Sequence, residues 1–172
     1  MLKSVLARWS RNNKTTVMVI CMENLCRSPL ASELLNAIFK LQGMQADFKA
    51  ESAGISVAIP GRKPDPRVVK LMRDRGLASP KGRSRQLNAK LVSKSSLILA
   101  VDRQVQLLLH EKLGVKAPLL MEFAGLSIRH QTLDVPDPYF TNQQGFERVY
   151  ELIEEAALGV AEYLKRSGGV PH

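Results

Sequence analysis

Apolar and polar residues along the chain form two patterns: short continuous apolar runs, and longer segments with apolar residues at helical spacing. The short runs are rich in β-branched residues and predict buried strands. Four such strands are expected, at residues 15–21, 48–53, 96–100 and 117–121. The longer segments predict helices over residues 103–113 and 145–165 and two helices that open at Ser28-Pro29 and Asp65-Pro66. Ser28 and Asp65 are the predicted N-caps, and each is followed by a proline, a residue favoured in the first turn.

Glycines mark the ends of these helices. Gly43, Gly76 and Gly114 follow the first three helices, and residues 122–144 form a long loop that contains prolines. The resulting order is β-α-β-α-β-α-β-α. This alternation predicts an α/β fold, with a four-stranded parallel sheet flanked by helices on both faces. Ligands of such sheets bind outside the carboxyl ends of the strands, and Cys21 lies at one of those ends.

The length and composition indicate one ordinary globular domain. The 172 residues, 45% hydrophobic and 24% charged, suffice for a single core. The longest apolar run, residues 17–22, is far shorter than the roughly 20 residues of a membrane helix. Two cysteines cannot build a disulfide scaffold, and no secretory signal is visible, so a cytoplasmic location is expected.

The start of the chain differs in charge from the rest. Residues 1–22 hold four basic residues and no acidic one. We expect residues 1–14 to be a short basic extension that precedes a single domain at residues 15–172. A transit peptide or a membrane-surface helix is the alternative for this extension.

The net charge of +9 is concentrated in one stretch. Residues 61–90 hold ten basic and two acidic residues, which is a net charge of +8. Such a stretch attracts an anionic partner, such as a phosphoprotein, a nucleic acid or an anionic lipid, unless it is only a solvated face. The stretch contains no aromatic residue. We therefore expect no nucleic-acid partner, because single strands stack on aromatic side chains.

One segment contains the candidate catalytic residues: Cys21-Met22-Glu23-Asn24-Leu25-Cys26-Arg27-Ser28-Pro29. It joins a buried strand to the N-terminus of a helix, where several backbone N–H groups and the helix dipole favour an anion. Arg27 can add a bidentate clamp on a phosphate. The same field stabilises a thiolate on Cys21, which makes this cysteine a nucleophile for phosphoryl transfer.

With this segment the chain resembles the low-molecular-weight protein tyrosine phosphatases, whose signature is Cys-x-Gly-Asn-x-Cys-Arg-Ser-Pro followed much later by Asp-Pro-Tyr. Further landmarks are Ser-Ala-Gly at 52–54, Asp-Pro-Arg at 65–67, Arg-Gln-Leu at 85–87 and Asp-Pro-Tyr at 137–139. The resemblance covers residues 15–165. It implies the strand order 2-1-3-4 and hydrolysis of phosphotyrosine or other aryl phosphate monoesters, without a metal or other cofactor.

The resemblance also implies roles for individual residues. Cys21 would attack phosphorus and form a phosphocysteine, Arg27 would hold the phosphate oxygens, and Asp137 would act as general acid and then as general base. The phosphate-binding loop would comprise Met22, Glu23, Asn24, Leu25, Cys26, Arg27 and Ser28. Ser52 would support this loop, together with Asn24 and Ser28. Tyr139, Phe140 and Ala58 would line the aryl pocket, and Cys26 would be either a redox partner of Cys21 or an inert buried thiol.

Three positions depart from the family pattern. Glu23 replaces a glycine of the loop, and its carboxylate is expected to weaken phosphate binding unless it points outward or is paired. Ala58 lies where the family usually has an aromatic side chain, so selectivity for phosphotyrosine is expected to be looser. Gly82 replaces a histidine that supports the loop network, so reduced activity or altered rigidity is expected.

Two other functions remain open. A non-catalytic phosphate-binding module would keep the loop and use the basic face at 61–90, with Glu23 and Gly82 as signs of decay. A protein arginine phosphatase of the same fold would usually carry threonine at the position of Leu25, so the apolar side chain favours phosphotyrosine. Arsenate reductases of related fold need a further cysteine, which this chain lacks.

Overall fold

The computed structural model describes residues 14–125 and 132–168. The strands are β1 (Thr15–Cys21), β2 (Phe48–Gly54) and β3 (Leu97–Ala100). The helices are α1 (Arg27–Leu41), α2 (Pro66–Asp74), α3 (Ala89–Lys94), α4 (Arg103–Leu113) and α5 (Gln143–Ser167), with a 3₁₀ helix at Leu120–Phe123. Most of the predicted extension, residues 1–13, and residues 126–131 of the predicted loop lie outside the described residues.

The strands form a parallel sheet in the order β2-β1-β3. The central strand β1 is buried from Thr16 to Cys21 because both of its faces are covered, which matches its continuous apolar sequence. Val17 pairs with Ala50 on one side and with Leu97 on the other. This register places the carboxyl end of β1, at Cys21, beside Gly54.

The predicted fourth strand at residues 117–121 was wrong, and the described sheet has three strands rather than four. Only one bridge forms, between Ala100 and Leu119, before the chain turns into the 3₁₀ helix. Pro118 has no N–H to donate to a ladder. The 3₁₀ helix instead packs against α5 where Gly159 has no side chain, since a Cβ there would lie 1.7 Å from the carbonyl oxygen of Phe123.

Helix boundaries followed the predictions in most places. Helix α4 begins after Asp102 and ends at Gly114, whose φ of +65° closes the helix. Helix α5 buries the predicted apolar face, made of Phe146, Val149, Ile153, Ala157, Val160 and Leu164. The short helix α3 was missed because it has only six residues and none of them is fully buried, although Leu91 and Val92 pack against the core. Its one signal in the sequence is the N-cap Asn88.

Ser28 does not cap helix α1, contrary to the prediction. The helix begins at Arg27, and its N-cap residue, Cys26, makes no side-chain capping bond. The Ser28 hydroxyl lies within the first turn and contacts the Cys21 sulfur and Asn24 instead. Among the described helices, none is long and apolar enough to cross a membrane.

Asp65 caps helix α2 and also pairs with Arg67, through contacts of 2.9 Å to its N–H and 2.8 Å to its guanidinium. Asp65→Ala is expected to lower the free energy of unfolding at pH 7 by about 1 kcal/mol, because the N-cap is lost. Asp65→Asn should cost less, because it keeps a capping oxygen and removes only the charge.

The charge contribution of Asp65 should depend on pH. The hydrogen bond from Arg67 holds the pKa of Asp65 below its usual value. The stabilisation is therefore present above the unfolded-state pKa of about 4 and is lost as the pH falls through the folded-state pKa. Urea unfolding of wild type and Asp65→Asn at pH 7 and in acid measures it. A stability difference that stays constant over this range would contradict the prediction.

Candidate active site

The loop from Cys21 to Arg27 connects the end of β1 to the start of α1. Within the part of the chain that the structure describes, no protein acceptor receives the N–H groups of Met22, Glu23, Leu25 or Cys26. These donors stand next to the positive end of a 15-residue helix. The loop thus has the donors and the helix dipole of an anion site.

Asn24 fixes the shape of this loop. Its φ of +58° is the only positive φ of a non-glycine residue in the described ranges. Asparagine tolerates this left-handed conformation better than most residues. Its side-chain NH₂ donates to the hydroxyls of Ser28 and Ser52, both at 2.9 Å, and its carbonyl accepts from the Arg85 N–H at 3.1 Å. Ser52 therefore contacts the loop through Asn24.

Cys21 lies at the base of a cavity of about 300 Å³. Its sulfur is 2.9 Å from the Ser28 hydroxyl and accepts a hydrogen bond from the Asn24 N–H at 3.2 Å. Both contacts point toward the sulfur from groups that can donate. A negative charge on this sulfur is thus stabilised locally.

Arg27 is buried and held by a carboxylate on a neighbouring element. Its Nη1 donates to the carboxylate of Asp102 at 2.5 Å and to the carbonyl of Val135 at 2.9 Å. The other oxygen of Asp102 caps helix α4 by accepting from Val105. Asp102 was not predicted as a site residue; its one signal in the sequence is its place just after β3, at the same sheet edge as Cys21.

Asp137 reaches the site from the loop before α5. Its Oδ2 is 3.7 Å from Nη2 of Arg27, and its side chain is 56% exposed. Its other oxygen accepts from the Tyr139 N–H at 3.1 Å, which limits rotation of the carboxylate. Val135, two residues earlier, anchors the loop to Val101 at the end of β3.

The cavity walls come from three segments of the chain. Tyr139 and Phe140 stack edge to face with ring centroids 4.9 Å apart, and Phe140 is 95% exposed. The cavity is lined by Cys21, Met22, Glu23, Leu25, Cys26, Arg27, Ala58, Arg62, Asp137, Tyr139 and Phe140. Arg62 had been counted only as part of the basic stretch. No spacing rule places a single arginine of a long loop at a cavity.

The 54–58 segment supports the loop from one side. The N–H groups of Ile55 and Ser56 donate to the carbonyls of Cys21 and Met22, both at 3.0 Å. Gly54 permits this approach, because a Cβ there would lie 2.6 Å from the Met22 oxygen. Glu23 joins the same contact: its carboxylate accepts from the Ala58 N–H at 3.1 Å. The carboxylate is therefore turned toward a donor rather than left free.

A second cavity of about 300 Å³ lies behind the loop. It is lined by Asn24 and Ser52 on one side and by Gly82 and Arg83 on another. A Cβ at Gly82 would meet no atom within 4 Å. The side chain of Asn24 therefore has hydrogen-bond partners in Ser28 and Ser52, whereas the space next to Gly82 is empty.

Cys26 is buried and chemically distinct from Cys21. Burial, reinforced by the nearby charges of Asp65, Cys21 and Asp137, raises the pKa of Cys26 to about 12. Both cysteines are free. Cys26 is thus a protonated thiol at neutral pH. Over the described residues, no group of three His, Cys, Asp or Glu side chains has a metal-binding arrangement.

A buried cysteine and an arginine that share a loop with free N–H groups, at the edge of a parallel α/β sheet, are typical of the cysteine-dependent phosphatases. The sequence model of the low molecular weight phosphotyrosine protein phosphatases matches residues 16–169. Low molecular weight protein-tyrosine phosphatase A of Mycobacterium tuberculosis is 31% identical over 158 residues, which cover 88% of this chain and 95% of that protein. The chain belongs to this family.

Solved structures agree with this fold. A protein tyrosine phosphatase of Entamoeba histolytica matches with a TM-score of 0.82 at 23% identity, over 90% of this chain and 99% of the other. The YwlE arginine phosphatase of Bacillus subtilis matches with a TM-score of 0.78 at 24% identity, over 88% and 97%. At these identities the matches show the fold alone.

Alkylation should distinguish the two cysteines. Iodoacetate at pH 7 is expected to leave Cys26 unlabelled, because a thiol with a pKa of about 12 has almost no thiolate at that pH. Mass spectrometry of peptides from the folded protein locates the label. We expect one adduct, on Cys21, and none in Cys21→Ser. A label on Cys26 in the folded protein would contradict the protonated state.

Glu23 has two separable effects, its charge and its bond to Ala58. Glu23→Gln keeps an acceptor for Ala58 and removes the charge, so it should tighten vanadate binding by roughly two- to fivefold. Glu23→Gly also removes the bond and should gain less. Calorimetric titration with vanadate compares the three proteins. Weaker binding by Glu23→Gln would show that the charge does not oppose the anion.

Proposed function

We propose that this protein hydrolyses phosphotyrosine and other aryl phosphate monoesters through a phosphocysteine intermediate. The observation that carries the proposal is the meeting of Cys21, Arg27 and Asp137 at one cavity. A nucleophile, an anion clamp and a proton donor are the three groups that this reaction requires. They come from separate parts of the chain, 21–27 and 137.

In the first half of the reaction, the thiolate of Cys21 attacks phosphorus. The S–P bond forms while the bond from phosphorus to the phenolic oxygen breaks. Asp137, in its protonated form, gives its proton to the leaving oxygen, so the phenol departs neutral. The free N–H groups of the loop and the guanidinium of Arg27 bind the three non-bridging oxygens as charge builds on them.

In the second half, water attacks the phosphocysteine. Asp137 is now a carboxylate and takes a proton from this water, so the O–P bond forms as the S–P bond breaks. Inorganic phosphate leaves and Cys21 returns to the thiolate. The bonds from Ser28 and Asn24 to the sulfur favour this departure, because they stabilise the thiolate as a leaving group.

Asp102 acts as a positioning residue in this scheme. It binds one edge of the Arg27 guanidinium, together with the carbonyl of Val135. Because that edge is occupied, the rest of the planar group is presented to the cavity in one orientation. The bond between Arg27 and the carbonyl of Val135 also links the phosphate clamp to the loop that contains Asp137.

The cavity favours an aryl group over an alkyl guanidinium. Tyr139 and Phe140 offer aromatic faces, and Leu25 adds an apolar wall where an arginine phosphatase usually has threonine. Ala58 leaves the remaining wall small, so we expect tolerance for several aryl phosphates. The arginine phosphatase activity of YwlE is a second candidate supported by fold similarity alone.

Contacts in the loop argue against a decayed, non-catalytic module. Glu23, the main departure from the family pattern, is bonded to Ala58 and does not disrupt the bonds of Asn24. The open space at Gly82 lies behind the loop and not in the substrate cavity. Both departures are thus compatible with turnover.

We further propose that Cys26 is a redox partner of Cys21 and that the protein works in the cytoplasm. A nucleophilic thiolate must stay reduced between turnovers, which a reducing compartment provides. When a peroxide oxidises the Cys21 thiolate to a sulfenic acid, the Cys26 sulfur attacks the Cys21 sulfur, so the S–S bond forms as the S–O bond breaks and water leaves. The raised pKa of Cys26 makes this attack slow. An anionic partner for the basic face at 61–90 belongs to the same proposal.

The decisive assay is hydrolysis of p-nitrophenyl phosphate at mildly acidic pH with a metal chelator present. Cys21→Ser should abolish turnover. Asp137→Ala should lower kcat by about 10²- to 10⁴-fold, the usual contribution of a general acid. Asp74→Ala is the matched control, since this exposed carboxylate pairs with Lys70 and is not among the residues that line the cavity.

Phosphopeptides then define the substrate class. Release of phosphate from phosphotyrosine peptides, with little from phosphoarginine peptides, is the expected result. The reverse preference would assign the arginine phosphatase activity. A folded wild-type protein that binds vanadate but turns over neither substrate would support the non-catalytic module and overturn the proposed hydrolysis.

A further inference from the structure

Three cationic residues lie close together next to the loop of the candidate site: Arg62, Lys63 and Arg83, named here the cationic rim. Arg62 lines the catalytic cavity, and Arg83 lines the second cavity behind the loop. Two short segments bring them together. The N–H of Gly61 donates to the carbonyl of Ser84 at 2.7 Å, and the N–H of Ser84 donates to the carbonyl of Arg62 at 2.8 Å. Arg83 closes the same contact by donating to the carbonyl of Gly61 at 3.0 Å.

The cationic rim has no carboxylate partner among the described residues. Elsewhere in the 61–90 stretch, carboxylates neutralise Arg67, Lys70, Arg75 and Arg85, through Asp65, Asp74, Glu147 and Glu51. The guanidinium of Arg62 has no hydrogen bond within 14–125 and 132–168, and Lys63 is exposed. Six basic side chains of the stretch have no ion pair in the described ranges; three of them form this rim, and the other three are Arg73, Lys81 and Lys90.

Arg62 connects the cationic rim to the reaction. Its side chain lines the cavity that holds Cys21 and Tyr139. Only its backbone takes part in the pairing with Ser84, so the guanidinium is free to contact a ligand. A residue close in sequence to a bound phosphotyrosine would pass over this rim. An exposed apolar side chain, Ile59 at 62%, adds to the same edge of the site.

We propose that the cationic rim binds a carboxylate side chain that lies within a few residues of the phosphotyrosine in the substrate. This inference rests on the proposed function and deepens it, since it defines the substrates as acidic phosphotyrosine segments. A guanidinium meets a carboxylate in a planar, two-bond geometry, so Arg62 is the primary contact. Lys63 and Arg83 supply the surrounding positive potential.

The test measures binding in the Cys21→Ser background, which does not require turnover. Two fluorescent phosphotyrosine peptides are compared, one with aspartate at the flanking positions and one with asparagine there. The acidic peptide should bind roughly fivefold more tightly, as expected for an exposed charge pair. Arg62→Gln should reduce this preference to less than twofold, and 0.5 M salt should reduce it in the unmodified rim.

Lys90→Gln is the matched control, because Lys90 is a basic residue of the same stretch that does not line the cavity. It should keep the fivefold preference. Lys63→Gln, a change at an exposed position, should reduce the preference in part and guards against a folding defect in Arg62→Gln. Equal affinities for the two peptides, or a preference unchanged in Arg62→Gln, would overturn the proposal.

Turnover by the enzyme with Cys21 intact separates this inference from the proposed function. Hydrolysis of both peptides with the same kcat/KM would overturn the acidic preference and leave the phosphatase activity standing. A binding preference that depends on Arg62, with no hydrolysis of either peptide, would support the cationic rim and overturn the proposed hydrolysis.

Discussion

The site depends on the left-handed conformation of Asn24. A loop that turns its N–H groups toward one point cannot keep all of its residues in ordinary backbone regions, so the strain must be held by other contacts. The Asn24 side chain provides them with bonds to Ser28, Ser52 and Arg85. These partners belong to α1, β2 and the segment before α3. Because one amide joins three elements, the shape of the loop is fixed by the packing of the whole sheet edge.

Burial of Arg27 is the second constraint, and it links the two halves of the site. A buried guanidinium without a partner would destabilise the fold, because its charge loses its hydration. Asp102 offsets this loss by pairing with Arg27, and it also caps helix α4. The carbonyl of Val135 completes the contact, and Val135 leads into the segment that carries Asp137. The phosphate clamp and the proton donor are therefore positioned by one set of bonds. A change at Asp102 would reach both groups, although this residue does not face the substrate.

Periodicity predicted the part of the fold that local sequence determines. The apolar run before Cys21 could only be a buried strand, and the glycines at 76 and 114 ended their helices as expected. The fourth strand failed because periodicity does not register the missing N–H of Pro118 or the packing of the 3₁₀ helix on Gly159. Asp102 and Arg62 were missed for another reason: their roles arise from contacts between segments far apart in the chain, which no spacing rule encodes. The roles assigned to Cys21, Arg27 and Asp137 remain predictions, and the geometry that brings the three together supports them.

The net charge of a stretch of sequence does not describe the electrostatic potential at the cavity, because ion pairs in the folded chain neutralise some of the charges. The net charge of +8 over residues 61–90 suggested a broad basic face. In the folded chain, pairs such as Arg75 with Glu147 and Arg85 with Glu51 neutralise part of that charge. Of the basic residues of this stretch that have no ion pair in the described ranges, Arg62 lines the catalytic cavity, where the pairing of Gly61 and Arg62 with Ser84 holds its backbone. Glu23 brings a negative charge to the same cavity, and its carboxylate accepts a hydrogen bond from the N–H of Ala58, which precedes Arg62 in the chain. The segment from Gly54 to Arg62 thus carries the small side chain of Ala58, the N–H that binds the carboxylate of Glu23, and the guanidinium of Arg62, and none of these is one of the proposed reacting groups.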